Sequence, residues 1–334
     1  MSMKLSVIIP VYNVEQYLER CILSIENQDI ERDSFEVLLI NDGSTDNSYE
    51  IACRLKDKYS NITVFTQENK GQAAARNIGL KKAIGNFVLF VDSDDYLLPN
   101  VFSRILQIAE KNNPDILVMQ SRSMRADGSF HQSSPPFGVD KFFSGEQLLL
   151  KGYRPASVWA KLFRRNLIVD NNIVFIEGII HEDVDFDMKL FTYAQRIMFL
   201  DLCCYVYYWN SMSTDKLMNH DKIMKSMKSD IEISKDFKMF STESHLGSGM
   251  PHFFIRHANS IITSLCYSLL TRYKYLPFSN KKEIIKIMKE KDMLPIKGKT
   301  NSKKSDIFKV LLIFPYLLLV VLRLHSFFIN SDVN

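Results

Sequence analysis

The chain has 334 residues, of which 46% are hydrophobic and 24% are charged, and its formal net charge is +4. This length allows one large domain or two modest ones, each with its own core. A net charge of +4 is too small to indicate nucleic-acid binding by itself.

The cysteines and the N-terminus both indicate a reducing compartment. The five cysteines form no C-x-x-C pair and are odd in number, which argues against a disulfide framework or a zinc cluster. The N-terminal stretch MSMKLSVIIPVYNV has an apolar part too short for a signal peptide. We therefore expect the protein to face the cytosol.

The first 120 residues alternate strand-like and helix-like patterns. Apolar runs predict strands at 5–10, 35–40, 62–66, 87–91 and 116–120. Apolar residues at helical spacing predict helices at 14–27, around 51–59, at 72–83 and at 101–111, and Asn13 is the predicted N-cap of the first. Repeated β-α-β units require a mainly parallel sheet covered by helices, so the predicted fold class is α/β.

The fourth predicted strand ends abruptly in the acidic turn Asp92-Ser93-Asp94-Asp95. The five apolar residues 87–91 indicate a strand buried on both faces, and the C-terminal edge of such a sheet is where ligands bind. Three carboxylates within four residues repel one another unless a cation or bound donors neutralise them. Mg²⁺ and Mn²⁺ commonly bridge carboxylates to substrate phosphates. We interpret the turn as a metal–diphosphate site, with an acidic turn that caps the next helix as the alternative.

Other loops at the same predicted edge carry groups suited to a nucleotide. After the second strand, Asp42 offers an acceptor for a ring N–H of a base. After the third strand, Lys70 and Arg76 can meet phosphate charge, and small residues from Gly71 onward let a backbone approach a ligand at a helix start. Each group alone also fits a turn, a cap or a solvated charge, but the ordered set favours a nucleotide. No P-loop and no G-x-G-x-x-G is present, which argues against the usual NTPase and dinucleotide sites.

Four segments, taken in order, carry a family resemblance. They read SVIIPVYN, INDGSTDNS, ENKGQAAARNIGL and FVDSDD, and they resemble the successive signatures of the family 2 glycosyltransferases, which have the GT-A nucleotide-sugar fold. The resemblance extends over about residues 4–100. It implies inverting transfer of a sugar from a nucleotide diphosphate donor, commonly a UDP-sugar, with Mn²⁺ or Mg²⁺ held by a D-x-D element.

The resemblance also implies roles for residues at the donor site. The tail of the first strand resembles the wall against base and ribose, and Asp42 resembles the contact to the base, commonly uracil. In the D-x-D element, Asp94 and Asp92 hold the metal, Asp92 also lies toward the ribose, and Asp95 is an extra carboxylate. The predicted nucleotide-sugar residues are Pro10, Tyr12, Asp42, Lys70, Arg76, Asp92 and Ser93.

An inverting transfer also needs a general base, because the acceptor hydroxyl must lose its proton as it attacks the anomeric carbon. Glu182 and Asp183 open a predicted helix and resemble the E-D element of the family, in which the aspartate is the base. We therefore predict Asp183 as the base and Glu182 as its support. The alternative is that the helix dipole favours acidic residues in a first turn.

Three further residues are candidates for the acceptor region. Trp159 and Lys161 look like a family element that precedes this region, where an indole could stack on a sugar face and a lysine could approach phosphate. Core packing is the alternative for Trp159. His181 could support the adjacent acidic pair or contact the acceptor.

The resemblance ends near residue 210, so we predict a catalytic domain over 1–210 and, because helical spacing continues, a helical appendage over 211–280. Residues 281–304 are rich in lysine, and an unbroken apolar run, 310–322, follows them. At about 1.5 Å per residue this run spans roughly 20 Å as a helix, against a hydrocarbon core of about 30 Å.

We therefore predict that segment 281–334 associates with a membrane surface by in-plane or shallow insertion. A buried helix or an oligomer interface is the alternative. Nucleic-acid binding is disfavoured because no aromatic residues are interleaved with the lysines.

The sequence thus predicts an inverting, metal-dependent hexosyltransferase at the cytoplasmic face of the plasma membrane. Family members with a basic, apolar C-terminus often extend lipid-linked oligosaccharides, so the resemblance implies a polyprenyl-diphosphate-linked acceptor in surface polysaccharide synthesis. The alternatives are a nucleotidyltransferase and a catalytically inactive, membrane-bound interaction protein of the same fold.

Overall fold

The structure is a computed structural model that describes residues 3–124, 127–139, 141–155, 157–208, 219–312 and 315–331. The chain divides into two compact units. The first unit comprises 1–178 and 182–216, and the second comprises 179–181 and 217–334. The first unit is a mixed α/β fold, and the second is helical.

The strands described in the first unit are β1 Leu5–Val11, β2 Phe35–Asp42, β3 Ile62–Gln67, β4 Phe87–Phe90, β5 Tyr96–Leu97, β6 Ile116–Met124, β7 Phe130–Gln132, β8 Phe142–Phe143, β9 Lys161–Arg164 and β10 Ile197–Tyr207. Its helices are α1 Leu18–Glu26, α2 Ser48–Lys58, α3 Gln72–Lys82, α4 Phe102–Asn112, α5 Gly145–Leu150, α6 Arg165–Asp170 and α7 Glu182–Tyr193, with a short 3₁₀ turn at Arg32–Ser34.

One sheet runs through this unit in the order β3-β2-β1-β4-β9-β6-β10-β5, with β7 paired to β6 and β8 to β10. Strands β3, β2, β1 and β4 are parallel. Strand β9 is antiparallel to both β4 and β6, so β6 and β4 run in the same direction. The α/β class with a mainly parallel sheet is confirmed. Strands β5, β7, β8, β9 and β10, including the antiparallel insertion of β9, were not predicted.

The central strands are buried because their side chains are apolar on both sheet faces. All seven residues of β1 and all four of β4 are buried, as the continuous apolar runs predicted. Helix α3 packs closely on β1 at Gly79, where an added Cβ would lie 2.3 Å from Ile8 Cγ2. This close packing fixes α3, and with it the residues of its first turn, against the strand.

The first helix begins later than predicted, and Asn13 does not cap it. Helix α1 begins at Leu18, and its N-cap residue is Tyr17. Asn13 instead has a φ of 52°, and its Oδ1 accepts a hydrogen bond of 2.8 Å from the backbone N–H of Thr45. The predicted cap was wrong because the carboxamide of Asn13 bonds a neighbouring loop rather than its own helix.

The second unit contains five described helices, which are α8 His220–Phe240, α9 Met250–Leu270, α10 Phe278–Glu290, α11 Lys303–Leu312 and α12 Pro315–Ser331. Their core includes Ile231, Ile262 and Ile284, together with Leu318 and Leu322 of α12. Over the described residues, none of the helices combines the length and hydropathy that a membrane crossing requires.

Candidate active site

The loops after β1 and β2 are joined by hydrogen bonds at the C-terminal edge of the sheet. Besides the contact between Asn13 and Thr45, the backbone N–H of Val14 donates to Ser48 Oγ at 2.8 Å, and that of Asn47 donates to Glu15 Oε2 at 3.0 Å. These bonds make the two loops one continuous surface. Tyr12 lies on it with 46% of its surface exposed, whereas Pro10 is buried within β1.

Asp42 anchors the loop that leads into α3. Its carboxylate is 2% exposed and accepts hydrogen bonds from Gln67 Nε2 at 2.6 Å and from the backbone N–H groups of Lys70 and Gly71, each at 2.8 Å. An ionised carboxylate offers about four acceptor positions, so one more remains for a ligand. The Lys70 side chain is exposed. The predicted base contact of Asp42 stays a prediction, and the structure adds an anchoring role for it.

Arg76, predicted near a diphosphate, is buried between two carboxylates. Its side chain is 3% exposed, with Nη1 2.6 Å from Glu182 Oε1 and Nη2 2.8 Å from Asp92 Oδ1. Burial disfavours the charged guanidinium, but Asp92 and Glu182 outweigh this effect and raise the pKa of Arg76. A buried charge is tolerated when it is paired in this way, because the partners offset its loss of hydration. Arg76 therefore joins the acidic turn after β4 to the start of α7.

Within the acidic turn, Asp95 points into the protein. It is 1% exposed, and it accepts hydrogen bonds from the Tyr205 hydroxyl at 2.6 Å and from the Tyr208 backbone N–H at 2.7 Å. Burial, followed by the charges of Asp92 and Asp94, raises the pKa of Asp95 to about 8. The Tyr205 hydroxyl also accepts the backbone N–H of Asp92 at 3.1 Å. Asp95 is thus the structural anchor of the turn.

Asp92 and Asp94 differ from Asp95 in remaining partly accessible, and the Asp92 side chain is 27% exposed. The backbone carbonyl of Asp94 accepts a hydrogen bond of 2.6 Å from Arg20 Nη2, which helps to fix the turn. Ser93, between the two, is buried.

A metal ion at this turn would have to take part of its ligands from the substrate. Among the described residues, no group of three or more His, Cys, Asp or Glu side chains could hold a metal ion. Mg²⁺ and Mn²⁺ are commonly bound by one or two carboxylates together with substrate phosphates and water. The hard oxygen donors of Asp94 and Asp92 therefore fit a donor-dependent metal site.

Glu182 and Asp183, in the first turn of α7, have different environments. Glu182 is 1% exposed and holds Arg76, and its second oxygen, Oε2, has no hydrogen-bond partner among the described residues. Asp183 is partly buried. Burial, followed by the charge of Glu182, raises the pKa of Asp183 to about 7, while Arg76 acts to lower it. A general base works best when its pKa lies near the operating pH, so Asp183 is suited to accept a proton at neutral pH.

Aromatic packing fixes α7 beneath the acidic turn. Phe186 stacks on Phe175 with ring centroids 4.0 Å apart and an interplanar angle of 3°. Phe90, the last residue of β4, packs edge-on against both rings. Asn77 holds Phe175 by a reciprocal pair of hydrogen bonds to its backbone, each 2.9 Å long. The strand that ends in the acidic turn and the helix that begins with the acidic pair therefore share one packed cluster.

Lys161 forms a buried ion pair with Asp187. The Lys161 side chain is 4% exposed, its Nζ lies 2.8 Å from Asp187 Oδ2, and it also donates to the carbonyl of Ser157. Burial raises the pKa of Asp187 to about 6, against the opposing effect of Lys161. Asp187 lies four residues after Asp183, one helical turn along α7. Sequence reasoning missed Asp187, although its i, i+4 spacing from Asp183 could have indicated it.

The other two acceptor candidates lie in different places. Trp159 stacks on Tyr205, with ring centroids 4.9 Å apart, and on Tyr207 at 5.9 Å, and it packs against the core of the first unit. His181 belongs to the second unit, where its Nε2 lies 3.4 Å from Ser226 Oγ on α8. Trp159 is thus packed against aromatic rings and the core while remaining partly accessible.

Comparison with known proteins identifies the class of this fold. The crystal structure of S. aureus TarS 1-349 in complex with UDP-GlcNAc superposes with a TM-score of 0.72 at 22% sequence identity, covering 99% of this chain and 92% of that chain. The fold is therefore the GT-A fold followed by C-terminal helices.

Sequence comparison identifies the family. The family description "Glycosyl transferase family 2" matches residues 6–169. The chain is 33% identical over 221 residues to the glycosyltransferase YibD of Escherichia coli and 34% identical over 226 residues to EpsJ of Bacillus subtilis. Each match covers 64% of this chain, and they cover 64% and 63% of the relatives, just under two thirds of their lengths. Residues 6–169, just under half of the chain, thus match glycosyltransferase family 2.

Proposed function

We propose that the protein is an inverting glycosyltransferase that moves a sugar from a UDP-sugar to a hydroxyl group of a glycan acceptor. The observation that carries the proposal is the buried chain Asp92–Arg76–Glu182, which joins the D-x-D turn to the residue beside Asp183. This chain of contacts supports the proposal because it joins the turn proposed to bind the diphosphate to the proposed base, whose pKa is about 7.

The relatives support this choice of donor and product. TarS was crystallised with UDP-GlcNAc, and TarS of Staphylococcus aureus is described as a poly(ribitol-phosphate) beta-N-acetylglucosaminyltransferase that is 32% identical to this chain over 208 residues. We therefore propose that this chain also uses a UDP-sugar as donor and that its acceptor is part of a bacterial surface polymer.

The proposed reaction is a single displacement at the anomeric carbon. Asp183 accepts the proton of the acceptor hydroxyl while the hydroxyl oxygen forms the new glycosidic bond. The bond from the anomeric carbon to the diphosphate breaks, and its electron pair leaves with UDP. Because attack comes from the face opposite the leaving group, an α-linked donor gives a β-linked product.

Glu182 and Arg76 act in this scheme as positioning residues. Arg76 holds Glu182 at 2.6 Å and Asp92 at 2.8 Å, so it fixes the distance between the base and the donor turn. The charge of Glu182 also raises the pKa of Asp183. We therefore propose that Arg76 organises the site through its two ion pairs, from a buried position beside the diphosphate.

The donor would lie on the surface formed by the loops after β1, β2 and β3. Tyr12, at 46% exposure, can cover the base and ribose, and Asp42 has one acceptor position left for the base. Lys70 is the exposed cation closest in sequence to the α3 N-terminus. We propose that Asp94 and Asp92 hold Mn²⁺ or Mg²⁺, which when bound stabilises the negative charge of the leaving diphosphate.

We further propose that the second unit associates with a membrane surface on its cytoplasmic side. Helix α12 exposes apolar side chains, with Tyr316 at 77%, Val320 at 53% and Leu324 at 55% exposure. Lys289 lies 4.1 Å from the centroid of the Tyr316 ring, so positive charge accompanies the apolar surface. Such a surface suits anionic lipid and an acceptor held on a polyprenyl diphosphate.

Calorimetric titration with UDP and with GDP, with and without Mn²⁺, tests the donor assignment. We expect metal-dependent UDP binding that is lost in Asp94→Ala and retained in Asp183→Ala. Asp170→Ala, which removes an exposed carboxylate at the end of α6, is the matched control and should bind UDP like the wild type. Absence of UDP binding to the wild-type protein with Mn²⁺ present would contradict the proposal.

Product analysis separates the remaining alternatives. Incubation with UDP-sugars should release UDP, whereas a nucleotidyltransferase would release inorganic pyrophosphate. An inactive interaction protein would bind UDP and release neither product, even with lipid extracts as a source of acceptor.

A further inference from the structure

Arg20 of α1 lies among three tyrosine rings beside the acidic turn that follows β4. The Cζ atom of its guanidinium is 3.8 Å from the centroid of the Tyr208 ring, 4.9 Å from that of Tyr96 and 5.7 Å from that of Tyr17. A guanidinium within about 6 Å of a ring centroid is attracted by the negative face of the ring. Three such contacts fix the position of this cation.

The three rings come from different elements of the first unit. Tyr17 is the N-cap residue of α1, Tyr96 lies in β5 and Tyr208 directly follows β10. Strands β5 and β10 are paired, with Tyr96 opposite Val206. Because side chains two residues apart on a strand lie on the same face, Tyr208 and Tyr96 approach the guanidinium from the same side of the sheet. Arg20 therefore joins α1 to this pair of strands.

Arg20 also holds the backbone of the acidic turn itself. Its Nη2 donates a hydrogen bond of 2.6 Å to the carbonyl of Asp94. One helical turn further along α1, Ser24 Oγ accepts a hydrogen bond of 3.0 Å from the backbone N–H of Leu97. Helix α1 thus fixes the chain at the residue proposed to hold the metal and again just beyond it, in β5.

The contacts of Arg20 differ in kind from those of Arg76. Arg76 is paired with two carboxylates, whereas Arg20 contacts aromatic rings and a backbone carbonyl. The Nε of Arg20 is buried and has no hydrogen-bond partner within the described ranges, which costs stability. Arg20 is therefore suited to fixing a backbone position rather than to neutralising a buried carboxylate.

The charge and the geometry of Arg20 have opposite effects on a metal ion at the turn. A guanidinium repels a nearby divalent cation, so its charge alone would weaken metal binding. A hydrogen bond that fixes the residue carrying a ligand orients that ligand, so its geometry would strengthen metal binding. The effect of removing Arg20 on metal-dependent binding therefore shows which of the two is larger.

We propose that Arg20 is a positioning residue for the metal, which preorganises the Asp94 carboxylate by holding the backbone of the same residue. The inference rests on the proposed glycosyltransferase function and deepens it at the donor site. The rings of Tyr208 and Tyr96 act through Arg20, because they hold its guanidinium beside the turn.

The test compares three variants of the full-length protein with the wild type. Arg20→Met removes the guanidinium but keeps an unbranched chain, and Arg20→Lys keeps a positive charge and N–H donors. Arg54→Met is the matched control, because Arg54 is exposed on α2 and pairs with Glu19, the neighbour of Arg20.

Two affinities for UDP are measured on each protein. Calorimetry gives the affinity with saturating Mn²⁺, and saturation-transfer NMR gives the weaker affinity in EDTA. The electron paramagnetic resonance signal of free Mn²⁺ reports how much metal is bound in the presence of UDP. Urea unfolding confirms that each variant is folded.

We expect Arg20→Met to bind UDP at least about tenfold more weakly than the wild type when Mn²⁺ is present, and to bind less Mn²⁺, as is usual when the support of a metal ligand is lost. UDP affinity in EDTA should be the same in all four proteins. Arg20→Lys should recover much of the loss, and Arg54→Met should bind as the wild type does.

Three results would overturn the inference and leave the proposed function in place. Arg20→Met binds UDP with Mn²⁺ as tightly as the wild type or more tightly, the affinities with Mn²⁺ and in EDTA fall in parallel, or Arg20→Lys binds no better than Arg20→Met. A parallel fall would show that Arg20 supports the fold in general rather than the metal.

A second pair of variants repeats the test if Arg20→Met does not fold. Tyr208→Leu removes the ring nearest to the guanidinium, whereas Tyr208→Phe keeps it. Tyr208→Leu should weaken UDP binding only when Mn²⁺ is present, and equal binding by the two variants would overturn the inference. If the wild type does not bind UDP with Mn²⁺ present, the proposed function itself fails, and the role of Arg20 fails with it.

Discussion

Helices α7 and α12 depart from the usual distribution of residues in opposite ways. Helix α7 buries carboxylates, with Glu182 at 1% and Asp185 and Asp187 at 0% exposure, whereas α12 exposes Tyr316 at 77% and Leu324 at 55%. Charged residues are rarely buried unless they are paired, and large contiguous apolar surfaces are rarely exposed unless something binds them. Each helix therefore carries a cost to stability that a function can explain.

The pairing within α7 shows which carboxylate is available for chemistry. Glu182 pairs with Arg76, Asp185 with Lys189 and Asp187 with Lys161. Asp183 makes no ion pair within the described part of the chain, and its pKa of about 7 leaves it able to take a proton. Among its described side chains, helix α12 makes no ion pair, and its exposed apolar residues need a surface rather than a counter-charge.

The largest expected effect is on turnover, when the unpaired carboxylate of α7 is removed. Asp183→Asn should reduce the rate of sugar transfer by about 10²–10⁴-fold, the usual contribution of a general base, with UDP affinity unchanged. UDP release from UDP-sugars and UDP calorimetry measure the two quantities. Asp170→Asn is the control, and an Asp183→Asn rate within a few fold of the wild type would reject the assignment.

The second effect is on stability, when a paired carboxylate of α7 loses its cation. Lys161→Met should lower the free energy of unfolding by about 3–5 kcal/mol, because it leaves Asp187 buried without a counter-charge. The double variant Lys161→Met/Asp187→Leu should recover much of this loss. Urea unfolding measures all three proteins, and Lys56→Met, at an exposed site on α2, should change stability by less than about 0.5 kcal/mol.

The loss in Lys161→Met should also depend on pH. A buried carboxyl whose folded pKa is above its unfolded value destabilises the fold increasingly as pH rises through the folded pKa. The pKa of Asp187 is about 6 with Lys161 present, and removing the cation raises it further. The destabilisation should therefore be smaller at pH 5 than at pH 8, and a double variant no more stable than Lys161→Met would show that the pair is not coupled.

The third effect concerns the exposed face of α12. Val320→Asp/Leu324→Asp should weaken binding to phosphatidylglycerol-containing vesicles at least tenfold, or about 1.4 kcal/mol, because both apolar side chains lose a favourable contact with lipid. Vesicle co-sedimentation measures this binding. Tyr275→Asp removes an apolar side chain with 69% exposure that lies after α9, and it should bind as the wild type does. Equal binding by all three proteins would reject α12 as the membrane-facing surface.

The smallest effect is a shift in the pH dependence of turnover. The rate should rise with pH to a plateau with an apparent pKa near 7, because Asp183 acts in its ionised form. Asp187 and Asp92 also raise this pKa, and Arg76 lowers it. Glu182 is the neighbouring charge that raises the pKa of Asp183 most. Glu182→Gln should therefore lower this pKa and move the rising limb of the rate profile to lower pH.

A rate profile measured from pH 5 to 9 tests this shift, with Glu50→Gln on α2 as an exposed control. A limb that stays in place, or that moves to higher pH, would show that Glu182 does not tune the base.

The sequence predicted local features of the fold and missed long-range ones. Strands β1, β2 and β4 were predicted because each contains a continuous apolar run, which burial on both sheet faces requires. Strand β9 has only four residues, and its antiparallel position between β4 and β6 depends on partners distant in the chain. No local pattern in so short a segment indicates which strands it will pair with.

For the site, too, the sequence predicted local motifs and missed contacts between distant residues. The acidic turn and the acidic pair were found as motifs, but the burial of Arg76 follows from its contact with Glu182, 106 residues away. Asp95 could not be separated from Asp92 and Asp94 by sequence, because its partner Tyr205 lies 110 residues further along the chain. Spatial pairing of this kind divides one acidic turn into an anchor and two accessible carboxylates.

The most direct test of the central claim is the configuration of the sugar first released from an α-linked UDP-sugar, followed by ¹H NMR before mutarotation. A single displacement assisted by Asp183 predicts that the β-anomer forms first and that Asp183→Asn forms it far more slowly. Initial formation of the α-anomer would contradict the account, because it would require retention of configuration and a role for α7 other than that of a base.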